Sequence, residues 1–392
     1  MPQLKSFNLA DYEMIICGSG LFGLTIACEY TRYFGKKVLV IEKRKHPGGN
    51  SWSEFDSQTS IEIHKYGSHL FHTSNEKVWK FINQYSQFTP YQHKVIAKTN
   101  SGFFNIPINL MTLSRFFGRQ FSPSEAEAFL ETIKSPILSP VNFEEAAVSQ
   151  IGEDLYTTFF KGYTKKQWQT DPKQLSADIF KRIPIRLNFD ERYFSDVYQG
   201  LPKEGYCQLI ENMLAHKDIH LALEVDFNSI KESVSANQLI VYTGPIDQYF
   251  DYRFGQLGWR TLDFEIETLD VEDYQGNSVI NYVEAEVPFT RIHEFKHLHP
   301  EREYAKGKTI IMREYSRFAG REDEPYYPIA SSANRTILRK YRDAITHLPN
   351  VFFGGRLGSF QYLDMHMAIA SALTMFSNEI IPAAEKLRHE GI

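Results

Sequence analysis

Cysteine is scarce: 392 residues carry three, Cys17, Cys28 and Cys207. None stands in a C-x-x-C pair and the number is odd, so no disulfide framework or cysteine-rich zinc site organises the chain. This usage suits a reducing cytoplasm, with Cys17 and Cys28 expected in the core, and no metal site is expected. Long apolar runs are also missing. No stretch approaches a membrane span, and residues 1–11 lack the basic and apolar segments of a secretory leader. Strong charge of one sign is absent too: the net charge is −5 and the isoelectric point near 6.2. That balance speaks against a nucleic-acid or anionic-membrane surface. Any anionic ligand must instead be held by a few placed cations.

Against these absences stands one dense local pattern. The apolar run Met14-Ile15-Ile16-Cys17 leads into Gly18-Ser19-Gly20-Leu21-Phe22-Gly23, a helix-like stretch follows, and Val38-Leu39-Val40-Ile41 delivers Glu42. Strand, glycine turn, helix, strand and acid is the order of a dinucleotide-binding βαβ unit. Gly18 makes the tight turn, Gly20 lets backbone approach a pyrophosphate, and Gly23 lets helix and strand pack closely. Glu42 can accept from a ribose hydroxyl, and the helix N-terminus faces the phosphates.

The length exceeds what one core normally supports, so two or three domains are expected. Residues 12–75 read as α/β, with a helix at 76–85. Helices are expected at 111–117, 124–133, 143–151 and 155–163, started by Ser122-Pro123 and by a capping box of Asn142 with Glu145. Strands 219–225 and 239–243 return to α/β, and pieces such as 259–266, 279–283 and 309–315 suit an antiparallel sheet. Val351-Phe352-Phe353 enters Gly354-Gly355-Arg356, and a helix starts near Asp364. Nucleotide-binding pieces therefore lie at both ends and in the middle, as flavin folds commonly need. Gly48-Gly49-Asn50 offers a second close backbone approach, and Gly354-Gly355 a third. Together they favour FAD over NAD.

The expected fold is α/β: an FAD-binding Rossmann-like domain (1–90, 201–246, 334–392), an inserted helical domain (109–174), and an antiparallel β-sheet substrate domain (91–108, 175–200, 247–333). Longer blocks carry a more specific signal: KYGSHLFHT at 65–73, KGYTKKQW at 161–168, RIPIR at 182–186, TRIHEF at 290–295, EPYYP at 324–328 and GGRLG at 354–358. On these blocks nearly the whole chain resembles the UDP-galactopyranose mutase family, in its bacterial form. Ser19 and Ser68 depart from the residues common there, alanine at the first position and proline or alanine at the second.

The resemblance implies a flavin-dependent isomerase interconverting UDP-galactopyranose and UDP-galactofuranose. In that family N5 of the reduced flavin is the covalent nucleophile at the anomeric carbon, and galactofuranose is supplied for cell-surface polysaccharide. It further implies UDP-galactose as partner, an external reductant, a homodimer and a cytoplasmic location. By matching position, Arg182 and Arg291 would hold the diphosphate as catalytic groups, with His69 beside the flavin. Phe159, Tyr163, Thr164, Trp168, Tyr193, Asn281, Tyr327 and Tyr362 would complete the substrate site, and His93 offers a weaker polar contact. Gly18, Gly20, Phe22, Gly23, Glu42, Lys43, Gly49, Asn50, His69, Leu70, Arg260, Arg356, Tyr362, Leu363, Asp364 and Met365 would hold FAD. Residues 169–199 read as a lid. An amine-oxidase-type oxidoreductase shares the glycine motifs but leaves the arginine and tyrosine set unexplained. A non-catalytic nucleotide-sugar sensor is the other alternative.

Overall fold

The computed structural model describes residues 7–182, 184–235 and 237–389, without the side chains of Lys181 and Arg182. Five strands form a wholly parallel sheet in the order Val351–Phe353, Leu239–Tyr242, Met14–Cys17, Val38–Glu42, Ile219–Leu223. All five are apolar runs recognised in the sequence. The central three are buried along their whole length, as strands covered on both faces must be. The Leu21–Phe34 helix crosses from Met14–Cys17 to Val38–Glu42 and stops at Gly35, whose φ of +62° is the left-handed conformation that glycine tolerates.

A seven-stranded sheet has the order Tyr327–Pro328, Trp259–Leu269, Thr309–Phe318, Arg291–Glu294, Val279–Tyr282, Val95–Thr99, Gly102–Ile106. It is antiparallel as expected, except that Val279–Tyr282 runs parallel to Val95–Thr99. These two strands are separated by the whole helical segment, so no tight hairpin dictates their direction. The described residues of 175–200 contribute no strand to this sheet: Ala177–Arg182 is a 3-10 helix, and Tyr198–Gly200 pairs with Phe71–Thr73 instead.

The helices of the insertion are Leu110–Phe116, Pro123–Ile133 and Phe143–Tyr156, followed by a π turn, Thr157–Lys161, and the helix Gly162–Trp168. The full capping box forms at Ser122 with Glu125. At the other site Asn142 accepts from the Glu145 amide, but the Glu145 carboxylate reaches the amide of Val141 rather than that of Asn142. The break expected after Ile151 is a kink at Gly152, where φ is +79° and an added Cβ would lie 2.6 Å from the Ile133 carbonyl. Only glycine lets the two helices meet there.

Contrary to the expectation that no stretch approaches a membrane span, one helical run among the described residues, Met365–His389, has the length and mean hydropathy (1.2) of one. Its pattern is that of a helix packed on a protein. Ile369, Ala372, Phe376, Ile380 and Ala384 are buried on one side, while Ser371, Thr374, Asn378 and Glu385 are exposed on the other.

Candidate active site

The glycine turn behaves as its spacing implies. Gly18 sits at φ +104°, and a Cβ there would strike Thr243 Oγ1. A Cβ on Gly23 would lie 2.2 Å from the Gly18 carbonyl, so the helix can approach the strand only without it. Gly20 is different: nothing lies within 4 Å of its missing Cβ. The space it leaves opens into a broad cleft. Gly18, Gly20, Phe22, Glu42, Lys43, Gly49, Asn50, His69, Arg356, Leu363, Asp364 and Met365 all line this cleft. Of the other residues expected at the cofactor, Gly23 lies behind the turn, and Leu70, Arg260 and Tyr362 do not line it. An open glycine cradle, a buried acid and a helix N-terminus at Asp364 fit a dinucleotide.

Glu42 is fixed in place: its Oε2 accepts from the amide (3.0 Å) and hydroxyl (2.8 Å) of Ser19, and its Oε1 from the Arg44 amide. Arg44 was not legible as a site residue. Its guanidinium donates to Asn50 Oδ1 and Glu324, both at 2.9 Å, and lies over the Tyr66 ring. It closes one side of the cleft together with Glu324. Arg356 donates through Nε and Nη2 to the Leu363 carbonyl and through Nη1 to that of Tyr326. It thereby ties the second glycine pair to the turn before Met365.

Beside this cleft, the register of the seven-stranded sheet gathers a second set. Residues directly opposite one another across antiparallel strands share a face. Tyr327 faces Arg260, and Asn281 faces Arg291, which in turn faces Glu314. Phe264 also faces Glu314, and Phe264 lies an even number of residues from Arg260 along its strand. Tyr327, Arg260, Glu314, Arg291 and Asn281 therefore stand on one face, and so does His293, two residues beyond Arg291. The Gly162–Trp168 helix lies directly on that face. A Cβ on Gly162 would come within 2.4 Å of the Val283 carbonyl, Lys166 Nζ donates to the carbonyls of Tyr282 (2.6 Å) and Phe289 (3.0 Å), and Ser316 Oγ donates to that of Gln167 (2.7 Å).

Arg291 is the centre of this arrangement. Its Nη2 donates to Tyr163 Oη at 2.6 Å and its Nε lies 3.2 Å from Glu314 Oε1. Burial alone would raise the Glu314 carboxyl, but Arg291, His293 and Thr290 bring it down to about 2. Burial also opposes the charge on Arg291, and Glu314 outweighs that effect. Arg260 is only 1% exposed, yet it makes one hydrogen bond, Nη2 to Ser316 Oγ, and its Nε and Nη1 are buried without a partner. Burial lowers its pKa to about 10. An unsatisfied buried guanidinium is costly, and an electron-rich group on this face would relieve it. Asn281 Oδ1 is likewise buried without a partner.

The remaining expected residues divide. Tyr362 stacks on Tyr327 with ring centroids 5.7 Å apart, and Arg356 lies over both rings. Tyr193 is half-exposed and meets His93 edge-on. Thr164 is buried and Trp168 half-buried, both on the overlying helix. Phe159 is the exception. It lies within the π turn and is buried between Phe104 and Phe116, in a core that Tyr163 also borders. The side chain of Arg182 lies outside the described residues. His69 lines the cleft with Nδ1 donating to the Gly67 carbonyl at 2.6 Å, and burial lowers it to about 4. Two groups among the described residues lie close enough to hold a metal: His72, Asp364 and His366, and Asp273, Glu294 and His297. In the first, His72 Nδ1 is already paired with Asp196. In the second, Glu294 already accepts from the Tyr274 and Gln275 amides and from Thr309.

Burial also sets an acid limit. It pushes His64 and His93 down to about 3 from the ordinary histidine value of about 6.5. Below that value the unfolded chain takes up protons that the folded one refuses. Stability is therefore full above pH ~6.5 and drains as the pH falls towards 3. The urea midpoint should drop between pH 7.5 and 5, and His93→Gln should make that drop shallower.

The fold and these adjoining sites define a Rossmann-like enzyme with a sheet face carrying Arg260 and Arg291 beside the glycine-lined cleft. Comparison with known proteins agrees. Residues 16–85 match the NAD(P)-binding Rossmann-like domain, and residues 158–362 match the UDP-galactopyranose mutase family. A probable UDP-galactopyranose mutase of Klebsiella pneumoniae is 43% identical over 92% of this chain and 93% of its own length. The dTDP-fucopyranose mutase of Escherichia coli is 39% identical over 92% of this chain and 96% of its own. The crystal structure of a reduced UDP-galactopyranose mutase shares the fold, with a TM-score of 0.68 at 15% identity over 96% of this chain and 97% of that one. The chain belongs to the UDP-galactopyranose mutase family and is an isomerase.

Proposed function

We propose that this chain interconverts UDP-galactopyranose and UDP-galactofuranose with FAD in the dinucleotide cleft, as an external reductant keeps the flavin reduced. The observation that carries this reading is Arg291: a charged guanidinium, paired with Tyr163 and Glu314, on a sheet face beside the cleft. Gly18, Gly20, Phe22, Glu42, Gly49 and Asn50 would hold the dinucleotide, with His69 and Asp364 at the flavin end. The reduced flavin, when bound, supplies N5 as the nucleophile at the anomeric carbon. The protein's share is positioning. Arg291 and Arg182 hold the diphosphate as negative charge develops on it, with Tyr193, Tyr327 and Tyr362 donating to the same oxygens. Tyr163, Thr164, Trp168 and Asn281 cover the nucleoside and sugar, and residues 169–199 close over them to exclude water. The three regions marked in the sequence act as cofactor domain, helical insertion and substrate sheet. The enzyme works in the cytoplasm as a homodimer and supplies galactofuranose for cell-surface polysaccharide.

The test is anaerobic incubation of dithionite-reduced and oxidised enzyme with UDP-galactose, followed by chromatography for the furanose isomer. Product from the reduced form alone is expected, and equal rates in both states would refute the flavin's role. The 39% identical fucopyranose relative supports a second reading, a thymidine-linked 6-deoxyhexose substrate. A parallel incubation with dTDP-fucose decides between them: faster furanose formation from that sugar selects the second.

A further inference from the structure

Ser68 stands between Gly67 and His69, in the turn whose histidine lines the dinucleotide cleft. Its Oγ lies 2.7 Å from His293 Nδ1. On the other side of that ring, His293 Nε2 lies 3.2 Å from Glu314 Oε2. His293 and Glu314 are both nearly fully buried. Glu314 is held ionised, while burial lowers His293 despite the carboxylate beside it. A neutral imidazole facing a carboxylate through Nε2 must carry its proton there, which leaves Nδ1 as an acceptor. The Ser68 hydroxyl is therefore the donor to Nδ1.

The result is a directional chain with a single arrangement of protons. Ser68 donates to His293, and His293 donates to Glu314 Oε2. Glu314 Oε1 accepts from the Thr290 hydroxyl and is ion-paired with Arg291 Nε at 3.2 Å, and Arg291 Nη2 donates to Tyr163. The turn also packs on the acid itself: Gly67, at φ +91°, would place a Cβ 3.7 Å from Glu314 Oε2. A displacement of the turn beside His69 must stretch the Ser68–His293 bond or shift Glu314, and Arg291 is fixed by Glu314.

We propose that Ser68 is a positioning residue that couples the state of the dinucleotide cleft to the anion affinity of Arg291. The inference rests on the reading of Arg291 as a diphosphate ligand. It requires that replacing the hydroxyl uncouples the two sites without removing either. The test titrates UDP into flavin-loaded enzyme, oxidised and dithionite-reduced, for wild type, Ser68→Ala and Ser68→Thr. The ratio of UDP affinities in the two redox states should shrink by about 3- to 10-fold in Ser68→Ala, the span of one neutral hydrogen bond. The threonine variant, which keeps the hydroxyl, should restore it. Histidine ¹⁵N NMR gives a readout independent of binding: His293 should be the Nε2–H tautomer in both proteins, with its Nδ1 resonance shifted in Ser68→Ala by loss of the hydrogen bond it accepts. A wild-type affinity ratio and Nδ1 resonance in Ser68→Ala overturn the proposal, as does a wild type whose UDP affinity ignores redox state. Wild type that binds UDP in neither state overturns the diphosphate reading, and this inference with it.

Discussion

Arg291→Ala should lower turnover of UDP-galactose by about two to three orders of magnitude and weaken UDP binding as well. The loss has two physical parts, and they can be separated. The first is the missing fork to the diphosphate, worth roughly 3–4 kcal/mol at the transition state if Arg291 holds the departing charge. The second belongs to the fold. Glu314 is 3% exposed and Arg291 is its main counter-charge. Deleting one member of a buried pair typically costs about 3–5 kcal/mol, because the other is left desolvated and alone. Arg291→Ala should therefore also unfold at lower urea. Adding Glu314→Gln removes the stranded charge, so the double variant should regain most of the stability and none of the turnover. Arg291→Lys keeps a charge but cannot reach Glu314 and Tyr163 at once, and should fall between. Steady-state rates measured beside urea midpoints for the four proteins check this. Recovery of turnover in the double variant would show that Arg291 serves the fold alone.

The glycine turn gives the second large effect, and it discriminates between two glycines of one motif. Gly23→Ala drives a methyl to within 2.2 Å of the Gly18 carbonyl and 3.0 Å of Ile16. That carbonyl cannot retreat, since the Gly18 amide is bonded to Ile41 in the sheet. The helix must move off the strand, at a cost of about 2–3 kcal/mol to the flavin-free protein. Gly20→Ala should do the opposite. Gly20 has φ −67° and ψ 170°, which alanine adopts freely, and nothing lies near its Cβ position. The flavin-free protein should be unharmed, while FAD affinity falls by roughly tenfold or more as the methyl takes the space meant for the pyrophosphate. Urea unfolding of the stripped variants and a flavin titration separate the two outcomes. A Gly20→Ala protein with undiminished FAD affinity would mean that the pyrophosphate does not sit over this turn.

Much of the parallel sheet was legible because its signals are local. The five parallel strands are short apolar runs, and they read that way although they are spread from Met14 to Phe353. Gly18, Gly20 and Gly23 were assigned separate tasks from spacing, and the geometry gives each its own surroundings. Helix starts at Ser122 and Asn142 were visible as capping chemistry. The surroundings of Phe159 were not legible in the same way. Its spacing to Tyr163 suggests a shared face open to a ligand, but the ring lies in a π turn and is buried in a core that Tyr163 borders only in part. No side-chain pattern announces that turn.

The partners of Arg291 were out of reach for a different reason. Glu314, His293 and Ser68 look like ordinary residues in the chain, and Ser68 lies 225 positions from the histidine it bonds. Arg44 is likewise joined to Glu324 across 280 positions. By itself the sequence determined that a dinucleotide turn exists, because backbone conformation and close approach at glycine are settled within a few residues. The tertiary structure alone decided what faces that turn. Cross-strand register sets which residues share a sheet face, and a slip of one residue would send Arg291, Glu314 and Asn281 to the other side. That register depends on contacts between distant segments, as does the charge balance built on it.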